Sequence, residues 1–95
     1  MIRGTAVICN RLGLHARAAA RFVATASGFE SEIHVCRGEK RVNGKSIMGL
    51  MMLAAGKGTE VTVECDGPDA EAALAALIAL VEDGFEELED APGGS

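Results

Sequence analysis

The chain has no tryptophan and no tyrosine, and its only aromatic residues are Phe22, Phe29 and Phe85. A core built from it must therefore be aliphatic. All nine Lys and Arg fall between Arg3 and Lys57, none lies beyond, and the formal net charge is −5. That balance excludes a general nucleic-acid binder, which needs a basic surface. It still allows one face to be locally basic on an acidic molecule. Cys9, Cys36 and Cys65 are widely spaced and form no CxxC pair, so no metal or redox centre is expected. Each falls in a strand-like context and reads as a small, reduced, buried or half-buried thiol. Met1-Ile-Arg-Gly-Thr lacks the long apolar segment of a signal peptide and is not expected to act as one. The apolar stretch from Ala70 to Val81 is too short to span a bilayer. These features predict a cytoplasmic protein without membrane insertion.

At 95 residues, 48% of them hydrophobic, the chain suffices for one domain with a real core. Residues 1–85 are expected to form it. Residues 86–95 are acidic and then Gly/Pro-containing, and read as a frayed tail. Ile2 to Cys9 reads as a strand, and Ala16 to Ala26 as a helix with Ala18, Phe22 and Ala26 inward. Glu32 to Arg37 alternates, Ile33 and Val35 facing one way and Glu32, His34 and Cys36 the other. Lys40 to Val42 is a short returning strand, Ser46 to Leu53 a short helix, and Glu60 to Cys65 a strong strand. Asp69 is the expected N-cap of a last helix with the stripe Leu74, Leu77, Ile78 and Val81, ended by Gly84. The order is β-α-β-β-α-β-α. One-sided alternation makes the fold α+β, an antiparallel sheet with helices on one face.

His15 is the most informative residue. It stands between a turn ending at Gly13 and the start of an Ala-rich helix. Unsatisfied amides and Arg17 beside it make an anion site, for phosphate above all. Position alone leaves two readings even: a phosphoryl-carrying nucleophile, or an ordinary loop histidine. The small Ala16 and Ala18 leave the first amides uncovered, and Arg17 offers a planar permanent cation. Arg21, one turn on, is as well read as a solvated surface residue as a partner contact. His34, mid-strand on the polar face, reads as a plain solvent-facing histidine.

The second motif is Val42-Asn-Gly-Lys-Ser46-Ile-Met-Gly-Leu-Met-Met-Leu53. Its Gly-Lys-Ser is not a P-loop, because Glu39 stands where the first glycine is required. Ser46 reads as a helix N-cap and, compatibly, as a phosphorylation site. The helix is apolar nearly all round, with Ile47, Leu50, Met51 and Ala54 on one face and Met48, Met52 and Ala55 on another. Met51 and Leu53 read as core filler, Ile47 and Met48 as a docking patch.

Leu12-Gly-Leu-His15-Ala-Arg17 resembles the active-site signature of the HPr-type phosphocarriers of the bacterial phosphoenolpyruvate-dependent phosphotransferase system. Asn43-Gly-Lys-Ser46-Ile-Met-Gly-Leu-Met resembles that family's second signature. The resemblance covers roughly Ile2 to Asp83. It implies an open-faced β-sandwich, a four-stranded antiparallel sheet with three helices on one face. It also implies a phosphohistidine at Nδ1 of His15, helped by Arg17 and by the amides of Ala16 and Arg17. Its implied partners are a phosphoenolpyruvate-dependent kinase, acceptor permeases or regulatory proteins, and a kinase or phosphorylase acting on Ser46. Ile47, Met48, Met51 and Arg21 are the expected docking residues. No cofactor or metal is called for, and the expected state is a monomeric carrier, not an autonomous enzyme. The family often has proline where Ala18 stands. An alternative is a regulatory domain signalling through Ser46 with His15 unused. A hydrolase using His15 as base lacks a companion group.

Overall fold

The computed structural model describes residues 1–86. The elements are β1 (Ile2–Val7), α1 (Ala16–Ala26), β2 (Glu32–Arg37), β3 (Lys40–Asn43), α2 (Ile47–Met52), β4 (Glu60–Asp66) and α3 (Ala70–Glu82), then a 3-10 turn at Gly84–Glu86. The strands form one antiparallel sheet in the order β1-β4-β2-β3. This is the open-faced sandwich expected from the sequence, with its three helices on one face.

Alternation explains which face is covered. Ala6, Ile33, Val35, Val61, Val63 and Cys65 point inward and are buried, while Arg3, Thr5, Thr62 and Glu64 point outward. Helix α1 closes on this face through Ala18, Ala19, Phe22 and Ala26. Helix α3 adds Ala73, Leu77, Leu80 and Val81. Small alanines let both helices approach the sheet closely. Phe22 and Phe85 are the bulkiest fully buried side chains, each contributing roughly 2–3 kcal/mol by burial. Opposite, Glu64 of β4 accepts from Arg41 Nε at 2.9 Å and lies 3.7 Å from Arg3, tying three strands together. The Arg41 bond holds the Glu64 carboxyl below its usual range. Burial, with Glu64 nearby, pushes the Cys36 thiol up.

Several expectations need correction. β1 stops at Val7, although Ile8 still donates to Thr59 O at 2.8 Å, because β4 begins only at Glu60. Cys9 therefore lies outside a strand and is exposed, its thiol 3.3 Å from Glu82 O. Asp69 occupies the N-cap of α3 but makes no capping bond. Its carboxylate instead accepts from the amides of Glu30 and Ser31, at 2.9 and 3.0 Å, and from the Ser31 hydroxyl. That clasp joins the start of β2 to the start of α3. Leu80, outside the expected stripe, is buried, whereas Leu74 and Ile78 are partly buried. Glu86, expected in the tail, closes the 3-10 turn. The rest of the expected tail, 87–95, lies outside the described residues.

Candidate functional site

The loop before α1 is shaped by its own hydrogen bonds. Asn10 is buried and donates from Nδ2 to Gly13 O at 2.7 Å, while its carbonyl accepts from Gly13 N at 3.1 Å. Gly13 has φ +71, and a Cβ there would lie 2.7 Å from Ala55 O and 2.8 Å from Gly56 Cα. Only glycine fits this approach. Leu14 is buried and donates its amide to Ala55 O at 2.9 Å. The loop thus rests on the segment that leaves α2.

His15 follows as the N-cap of α1, with extended backbone angles and a half-buried ring. Its carbonyl accepts from Ala19 N at 2.8 Å, the first bond of the helix. Its Nδ1 accepts from Arg17 N at 3.3 Å. A nitrogen that accepts an N–H holds a lone pair, so in the neutral ring the proton sits on Nε2. Nδ1 is therefore turned toward the positive end of α1, whose first turn contains no acidic residue. The Arg17 side chain is exposed at the same end.

Ser46 caps α2, its Oγ accepting from Gly49 N at 3.0 Å. Leu50 and Leu53 are buried. Met48, Met52, Met51 and Ile47 stand 75%, 70%, 44% and 40% exposed. Met51 is thus no core filler. The expected face grouping also fails at Ala54, because the helix ends at Met52 and Ala54 turns to φ +52. Helix α2 packs against α1, which brings the apolar surface and the histidine loop onto neighbouring elements.

Arg21 is engaged within the fold. Its guanidinium donates to Phe85 O at 2.9 Å and holds the 3-10 turn against α1. Sequence reasoning did not single out Leu12, 58% exposed in the histidine loop, as an apolar surface residue. It also missed Arg37, which donates to Leu53 O at 2.8 Å from sixteen residues away. Position 12 was legible as a leucine in a turn-rich loop; Arg37 had no local signal. His34 is half-buried on the polar face of the sheet. Among the described residues no cluster of His, Cys, Asp or Glu suits a metal ion, and no helix is long and apolar enough to cross a membrane.

A family model described as the PTS HPr component phosphorylation site matches residues 2–83. The chain is 53% identical over 87 residues to phosphocarrier protein HPr of Neisseria meningitidis serogroup B, covering 92% of this chain and 98% of that protein. It is 49% identical over 80 residues to phosphocarrier protein NPr of Shewanella violacea, covering 84% and 88%. Among solved structures, HPr-C-His from Thermoanaerobacter tengcongensis superposes with a TM-score of 0.87 at 48% identity, covering 92% of this chain and 98% of that one. HPr from Bacillus anthracis superposes with a TM-score of 0.81 at 44% identity, covering 84% and 95%.

Proposed function

The chain belongs to the HPr family of the phosphotransferase system and is a phosphocarrier, and from that premise we propose that His15 carries the phosphoryl group on Nδ1. The observation that supports this is the 3.3 Å bond from Arg17 N to Nδ1, which holds that nitrogen's lone pair at a helix N-terminus. In the first step the Nδ1 lone pair attacks phosphorus. The bond from phosphorus to the donor breaks, and its electron pair leaves with the donor. In the second step the acceptor's nucleophile attacks phosphorus, the P–N bond breaks, and its pair returns to Nδ1.

The arriving group carries close to two negative charges. The amides of Ala16 and Arg17 and the Arg17 guanidinium meet them, and the helix end adds roughly 1–2 kcal/mol. Residues 1–85 form the carrier domain. It acts as a monomer, between a phosphoenolpyruvate-dependent kinase and acceptor permeases or regulatory proteins, and catalyses no turnover alone. Ile47, Met48 and Met51 are the docking side chains, their exposure beside the α1 contact being the support. The three free cysteines fit a reducing cytoplasm.

Ser46 is the regulatory site. A phosphate there keeps the cap, because helix amides accept a negative charge. It also places a dianion beside Ile47 and Met48, which an acidic partner repels and which docking must desolvate.

The test is incubation with phosphoenolpyruvate and the host's relay kinase, followed by acid. Acid-labile label in the wild type and none in His15→Ala is expected. Equal labelling of both would overturn the reading in favour of signalling through Ser46.

A further inference from the structure

Helix α2 has six residues, too few to hold its shape alone. Ser46 closes its first turn. The other end needs outside donors for its last carbonyls. It also needs a reversal of the chain, made by Ala54 at φ +52, a left-handed conformation that favours glycine. The donors come from the hairpin between β2 and β3. Arg37 donates from one guanidinium nitrogen to Leu53 O at 2.8 Å and Ala54 O at 3.2 Å. Lys40 Nζ lies 3.5 Å from Met52 O. The next residue, Ala55, is buried and accepts from Leu14 N.

We propose that Arg37 is a positioning residue of the carrier: it clamps the left-handed Ala54 turn from the hairpin tip and so sets the pose of the docking helix. The inference rests on the reading of Ile47, Met48 and Met51 as docking residues. Arg37 bonds to the exit of α2, not to the first turn of α1. Its loss therefore weakens partner binding and leaves the chemistry at His15 in place. A cation at a helix C-terminus also complements the negative end of the dipole. Lysine at position 37 keeps that charge but loses the rigid, planar head whose one nitrogen reaches both carbonyls.

The experiment is steady-state phosphorylation by phosphoenolpyruvate and the host's relay kinase, with the carrier as varied substrate. Arg37→Ala is expected to raise KM about fivefold, the worth of one such bond, with kcat within about twofold. Adding Ala54→Gly is expected to restore KM, since glycine adopts the turn without a clamp. Arg37→Lys should fall between. An unchanged KM in Arg37→Ala overturns the proposal. So does a raised KM that Ala54→Gly does not relieve, because Arg37 would then be touching the partner itself. Should Arg37→Ala not fold, Arg37→Lys compared with Arg37→Lys/Ala54→Gly decides the same question. Met48→Ala tests the docking reading separately. No change there overturns that reading, whereas a raised KM in Met48→Ala beside an unchanged one in Arg37→Ala overturns only the role of Arg37.

Discussion

Leu14 donates its amide to the carbonyl of Ala55 at 2.9 Å, so the residue before the histidine leans on the residue that ends the turn after α2. Two stretches of chain forty-one residues apart are thereby fixed against each other. That seam seats the loop before the histidine, while the histidine's own cap bonds run to α1.

Gly13→Ala should break the seam. The new Cβ would meet Ala55 O and Gly56 Cα below 3 Å, at a φ of +71. A loss of roughly 2–3 kcal/mol is expected. Urea unfolding measures it, and phosphorylation at His15 should fall even where the variant is fully folded.

Ser46 separates capping from charge. Ser46→Ala removes the acceptor for Gly49 N and should cost about 1 kcal/mol. Ser46→Asp keeps an acceptor and adds a charge that suits the helix end. It should unfold like the wild type yet transfer phosphoryl groups at least about tenfold less well, a change of roughly 1.4 kcal/mol in partner binding. Equal transfer by Ser46→Asp and the wild type would remove the regulatory role.

Asp69 makes stability depend on acid. The Ser31 hydroxyl bond first, then the Glu30 amide, holds its carboxyl below the ordinary range. A folded pKa below the unfolded one means stability that is complete above the unfolded value and is lost as pH falls through the folded one. Asp69→Asn should therefore be less stable than the wild type at pH 7, and the gap should close in strong acid. Denaturant midpoints at both ends of that range give the answer.

Arg21→Ala removes the donor to Phe85 O. A cost of about 1 kcal/mol is expected, seen as a lower unfolding midpoint. Transfer kinetics on the same variant decide whether Arg21 also meets partners: a KM that tracks only the stability loss would confine it to holding the 3-10 turn.

The sheet was legible because Ile33, Val35, Val61 and Val63 alternate with polar residues, and a one-residue slip would turn a strand's apolar side chains out of the core. The first helix was legible because Phe22 and its alanines repeat at the helical period. His15 stood out through Gly13 before it and small residues after it. What escaped depends on distant partners. Asp69 reads as a cap locally, but Ser31, thirty-eight residues earlier, takes its carboxylate. Met51 reads as core in an apolar run, yet a six-residue helix buries only the side toward Leu50 and Leu53. Arg37 and Arg21 look like ordinary surface cations until the carbonyls they reach are in place.

The sheet ends in β1 on one side and β3 on the other. Unpaired outer strands invite copies of a protein to add side by side into ribbons. Here β3 is four residues long and carries Lys40 and Arg41, while β1 carries Arg3. Approach of two such margins sets like charges face to face, a built-in guard against aggregation at high concentration.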